Sequence, residues 1–148
     1  MITYQVEDFE EVKHQIAEMA FEHWKEIEHY QDEIKLDIDL DTYSLMASTG
    51  TLKTITVRDN DKLIGYILML VHKHLHHKEK FAVNDIFYIH PAYRKGYVGI
   101  KIFKFAEEIM RAEGVKLMLL SCKTHLDKGI IFKRLGFKPT EISYSKLL

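Results

Sequence analysis

Two hydrophobic periods alternate along the chain. Val12, Ile16, Met19, Ala20, His23, Ile27 and Tyr30 recur at the spacing of one helix face, and Asp8 with Glu11 three residues on makes a capping-box-like start. A second stripe, Val98, Ile102, Phe105, Ala106, Ile109 and Met110, has Lys101, Lys104, Glu108 and Arg111 opposite it and Gly114 at its end. Strands are predicted over 2–6, 52–58, 63–72, 84–90 and 115–121, where the period falls to two or apolar residues run together. The run 115–121 is continuous enough to predict burial on both faces. Asp59-Asn60-Asp61 supplies a turn. Short helices are predicted over 41–47 and 128–135, the second capped by Asp127 and closed by Gly136, with one or two last strands over 137–147 turning near Pro139. The order β-α-α-β-β-β-α-β-α-β predicts a single domain over 1–148 of α/β (α+β) class: a central mixed sheet flanked by helices on both faces.

The junction between the strand at 84–90 and the helix from Val98 changes this picture from architecture to chemistry. Pro91 closes the strand, and Arg94, Lys95, Gly96 and Gly99 fill the turn. A helix start presents unpaired N–H groups and the positive end of the helix dipole, which together attract an anion. The two cations add charge, and the glycines let a ligand come close. The same residues suit a plain surface turn with solvated cations. Neither G-x-x-x-x-G-K-[ST] nor G-x-G-x-x-G occurs.

Composition narrows the class. A net charge of −1 gives no field for nucleic acid, so no nucleic-acid partner is expected. The one cysteine, Cys122, forms no internal disulfide, which fits a reducing, cytoplasmic setting. The first residues carry no basic leader or apolar core, and the longest apolar run, 63–71, falls far short of the ~18 residues that span a bilayer, so no membrane partner is expected. Asp32 to Asp41 is an acidic run that reads as a solvated face, or as an attractor for a cationic amine if it lines a site. His72, His74, His76 and His77 crowd a hairpin-like segment. Zinc is a minor reading there, because no Cys or Glu partner stands at ligand spacing, and no metal site is assigned.

Pro91-Ala92-Tyr93-Arg94-Lys95-Gly96-Tyr97-Val98-Gly99 resembles motif A of the GNAT N-acetyltransferases, in which a strand, a proline and an aromatic precede [Q/R]-x-x-G-x-[G/A] at a helix start. It matches at the proline, the aromatic, Arg94 and Gly99; Tyr97 replaces the first pattern glycine, with Gly96 one place earlier. Ile131-Phe132-Lys133-Arg134-Leu135-Gly136-Phe137 is similar to the family's FYxKLGF segment, and the element order agrees over nearly the whole chain. The general look of the chain also resembles phage-borne members.

The resemblance implies a GNAT acyl-CoA N-acyltransferase fold with splayed central strands, and acetyl-coenzyme A (acetyl-CoA) as co-substrate. Its diphosphate is expected over the amides of Lys95, Gly96, Tyr97, Val98, Gly99 and Ile100, with Arg94 and Lys95 adding charge-assisted bonds. Its pantetheine arm is expected along the backbone of Tyr88 and Ile89. The implied reaction moves an acetyl group to a primary amine of a small cationic molecule or a protein. Asp85 falls where polyamine-acetylating members carry a base, and reads equally well as a structural acid; His74, His90 and His125 are rival bases. His125 stands where many members have asparagine. Phe132 stands where the family's tyrosine acid would be, leaving Tyr88, Tyr97 and Tyr144 as donors. The segment Phe21-Glu22-His23-Trp24 is the candidate acceptor wall, although His23 reads first as a core histidine, and His72 is a further acceptor contact. The alternative is a GNAT-fold module that binds CoA or another ligand without turnover. A homodimer is compatible with the family's habit of pairing.

Overall fold

Five strands in the order β1-β2-β3-β4-β5 organise the computed structural model, which describes residues 1–148. β1 (Ile2–Glu7), β2 (Leu52–Asp59), β3 (Lys62–Lys73) and β4 (Lys80–Ile89) pair antiparallel in sequence, and β5 (Leu117–Leu119) runs parallel to β4. Helices α1 (Phe9–Ile27) and α2 (Leu40–Ser48) precede β2; α3 (Val98–Ala112) separates β4 from β5, and α4 (Gly129–Arg134) follows. The mixed sheet with helices on both faces is the one the periodicity predicts.

Each face has its own core, because β2 and β3 carry apolar side chains in both directions. Ile55, Val57, Ile67 and Met69 face Ile102, Phe103, Ala106 and Met110 of α3, with Phe132 of α4. Leu52, Tyr66, Leu68 and Tyr88 face Phe9, Val12 and Ile16 of α1. Asp8 caps α1 by accepting from the Glu10 N–H (3.1 Å), one residue short of the capping-box partner the spacing suggests. Asp39 caps α2 through the Thr42 N–H (3.0 Å).

Two features at the β4–β5 end position the site. First, β4 carries a bulge: Leu68 pairs with Ile86 and Met69 with Asn84, which leaves Asp85 without a cross-strand partner. Second, the parallel ladder is short, running only through Phe81↔Leu117, Ala82↔Met118 and Val83↔Leu119. It closes with a side chain in place of a peptide group. The Asn84 Nδ2 donates to the Ser121 carbonyl (3.0 Å), and the Ser121 N–H donates to Asn84 Oδ1 (2.7 Å). Beyond that clasp the two strands part.

The C-terminal expectation is corrected. No strand forms over 137–147, and every residue from Lys138 to Leu148 is exposed. The alternation of Ile142 and Tyr144 suits a strand, but β5 is three residues long and offers no edge to template one. The same shortness corrects the double-sided burial predicted for 115–121: Leu117 is 44% exposed, because β5 is the sheet's edge.

Candidate active site

The loop from β4 to α3 is built by local bonds. His90 begins a single 3-10 turn (Pro91–Tyr93), its Nδ1 accepting from the Ala92 N–H (3.2 Å), so this histidine serves the turn. Tyr93 Oη donates to Asp59 Oδ2 (3.0 Å), tying the turn to the β2–β3 corner. Gly96 takes φ +92°, a conformation L-residues rarely adopt, and turns the chain into α3. No side chain caps α3, and the N–H groups of Lys95 to Ile100 find no acceptor within the protein. A Cβ added at Gly99 would meet only Ile89 Cδ1, at 3.9 Å, so the floor of the loop is open.

Arg94 stands beside the loop with its guanidinium already committed. Nη1 and Nη2 fork onto the Glu26 carboxylate of α1 (Nη2 to Oε2, 2.6 Å), and Nε donates to the Ile89 carbonyl (2.8 Å). The plane lies 5.4 Å from the Tyr88 ring centre. The fork holds Glu26 well below the usual carboxylate range and raises Arg94 above its ordinary value. The donors left for an anion are therefore the loop amides and Lys95.

The bulged Asp85 opens on the opposite side of β4, toward α2. Its Oδ2 accepts from Tyr43 Oη at 2.5 Å. Burial, then the bond to Asp85, pushes the Tyr43 phenol up, so it stays a proton donor at neutral pH. Asp37, Asp39 and Asp85 together line a cavity of about 380 Å³ floored by Met46 and Leu70. A smaller chamber, about 110 Å³, shares the Tyr43 ring, Leu36 and Ile38 as walls and includes Trp24 and Ile86.

A loop of bare amides beside strands that part is matched in sequence as well as in shape: residues 10–137 match the acetyltransferase (GNAT) family. The chain belongs to that family. Among solved structures, the GNAT chain is similar to an aminoglycoside acetyltransferase from an uncultured soil metagenomic sample, in complex with sisomicin, at TM-score 0.76 and 10% identity, covering 99% of this chain and 96% of that one. It is similar to the glucosamine-6-phosphate N-acetyltransferase of Arabidopsis thaliana at TM-score 0.74 and 12% identity, covering 99% and 98%. A predicted acetyltransferase from Clostridium acetobutylicum, crystallised with acetyl-CoA, aligns at TM-score 0.74 and 13% identity over 100% and 96%. Among curated proteins no sequence matches.

Within this GNAT chain the remaining candidate residues scatter. His23 is 1% exposed, shares a 3.2 Å hydrogen bond with Tyr66 Oη, stacks 4.6 Å from the Tyr88 ring and lines neither cavity. Burial pulls its pKa down to about 4, so it is neutral at pH 7. Its neighbour Trp24 reaches the smaller chamber. Tyr88 is 6% exposed, and burial pushes its phenol up. His74 packs on Phe81 at 4.4 Å, and Phe81 lies four residues before Asp85, so the histidine sits ~13 Å down the strand from the carboxylate. The structure does not bring His74 to Asp85. His72 follows Leu70 on the same sheet face, ~6.6 Å beyond the cavity wall. His125 meets His29 and the Glu26 carbonyl. No three His, Cys, Asp or Glu side chains are arranged to hold a metal ion. Phe132 is locked edge-to-face against Phe103 (5.3 Å) and Phe87 (6.2 Å). Tyr97 and Tyr144 are 72% and 90% exposed.

Three residues of the candidate site carry no mark in the sequence: Tyr43, Glu26 and Asn84. Each acts across a long separation, which periodicity does not report. The alternation of Leu36, Ile38 and Leu40 inside the acidic run is a signal that was available.

Proposed function

We propose that this chain transfers an acetyl group from acetyl-CoA to a primary amine of a small cationic molecule, in the cytoplasm, as a soluble enzyme. The observation that carries the reading is the unpartnered row of amides from Lys95 to Ile100 at an uncapped helix start, beside the unpaired edge of β4. A diphosphate suits those donors and Lys95, and the amide-rich pantetheine suits the backbone of Tyr88 and Ile89 past the Asn84 clasp.

The acceptor side is assigned to Asp85. An alkyl ammonium has a pKa near ~10.4 and must lose a proton before it attacks. Asp85 takes that proton, directly or through a water, while Tyr43 orients the carboxylate. Asp37 and Asp39 lend the mouth a negative field that draws the cation in. The thiolate that leaves resembles an alkyl thiol of pKa ~8.5 and requires only a weak acid; Tyr88 retains its proton at neutral pH for that role.

A second reading is favoured by one observation. Phe132 is packed in the core where the family carries a tyrosine, which suits a module that binds CoA without turnover. One experiment separates the two: incubate the protein with acetyl-CoA and an amine panel, and follow free thiol. Amine-dependent release that falls ~100-fold or more in Asp85→Asn supports the enzyme. Tight CoA binding with no release supports the module, and no binding removes both.

A further inference from the structure

The bulge in β4 turns two successive residues, Asp85 and Ile86, toward the same helical face: Asp85 lines the acidic cavity and Ile86 the smaller chamber beside it. Residues adjacent on an unbulged strand would face opposite sides of the sheet. We infer that the acceptor is an amine carrying a short, uncharged apolar arm, with its nitrogen at Asp85 and its arm seated in the chamber against Ile86, Leu68, Trp24 and Ala20. The inference rests on the acyl-transfer reading of this site and adds the substrate class.

The chamber's composition and size carry the argument. Glu28 alone among its walls bears a charge, and the chamber adjoins the acidic cavity at Leu36, Ile38 and Tyr43, which line both. A second ammonium or a sugar hydroxyl placed there would lose its water against mostly hydrophobic walls, because Glu28 is already paired with Lys123 at 3.6 Å. At about 110 Å³ the chamber is smaller than the ~150 Å³ cavity that houses a benzene ring, so it suits an aliphatic chain of a few carbons and excludes a sugar ring. The alternating sequence Leu36-Asp37-Ile38-Asp39 places apolar and acidic side chains side by side on one loop, as an amine with a greasy arm demands.

The test is a homologous series. Thiol release is measured from acetyl-CoA with ethylamine, propylamine, butylamine, pentylamine and octylamine, with 1,4-diaminobutane and sisomicin alongside. The expected result is a kcat/KM that climbs about fourfold per added methylene, the worth of one buried CH₂, and falls once the chamber is full. Diaminobutane is expected at least tenfold below pentylamine. Ala20→Leu, which fills the chamber from α1, is expected to flatten the climb within its own series while melting at or above the wild-type temperature. Should that variant fail to fold, Ile86→Ala is expected to move the optimum toward longer chains. A flat series, or diaminobutane or sisomicin turned over as well as pentylamine, overturns the inference and leaves acyl transfer standing. No release with any amine overturns both.

Discussion

The two sides of the open sheet are built by different means. The loop side is main chain: bare amides, a glycine at φ +92° and a helix start, all between Lys95 and Ile100. The proposed acceptor side is side chain, assembled from α1, the loop before α2, α2 itself and strands β3 and β4. A ligand common to a whole family is well served by backbone, whose donors do not depend on which residue stands there. A variable acceptor is better served by side chains, which change one at a time. The difference predicts that substitutions on the loop side act through backbone shape, and on the other side through residue identity.

The largest expected effect lies under the acceptor side. His23 titrates near 6.5 when unfolded and about 4 when folded. Above pH 6.5 both states are neutral. Between 6.5 and 4 the unfolded chain takes up a proton that the folded chain refuses, so stability falls with falling pH, by about 3 kcal/mol once pH 4 is passed. Urea unfolding across that window checks it, and His23→Gln should flatten the slope there. An equal slope in both proteins breaks the account.

Next comes Gly99→Val, expected to weaken CoA binding ~100-fold, about 2.7 kcal/mol, by calorimetry. Its melting temperature should hold, because only Ile89 Cδ1 lies near the added Cβ. An unchanged dissociation constant would take the loop out of the site.

Arg94→Ala sharpens the contrast. Because its guanidinium is committed to Glu26 and Ile89, its removal should cost about 2 kcal/mol of stability and change CoA affinity by less than ~5-fold. A large affinity loss with an unchanged melting temperature would put Arg94 on the ligand instead. Smallest is Tyr43→Phe, expected to lower kcat about tenfold, about 1.4 kcal/mol, while CoA affinity stays constant. A matching loss of CoA affinity would show that the two sides are not independent.

Legibility in the sequence follows the same division. The stripes of α1 and α3, the turn at Pro91 and the open loop are local patterns, and they stand where the sequence puts them except at Tyr30, which lies beyond the end of α1 at φ 58°. Tyr43 meets Asp85 across 42 residues and Glu26 meets Arg94 across 68, separations over which no period speaks. His74, a rival base to Asp85 in the sequence, shares its hairpin, yet the rise along β4 carries the two apart. The last strands expected over 137–147 do not form, because a strand also needs an edge, which β5 does not extend to them.

The amide of Asn84 has one more consequence. Since a single carboxamide, rather than a run of peptide groups, fixes where pairing stops, the aperture of the cleft pivots on one codon. Lengthening that carboxamide by a methylene would move the pivot without touching either wall, giving a way to vary the reach of the thioester while the rest of the sheet stays in register.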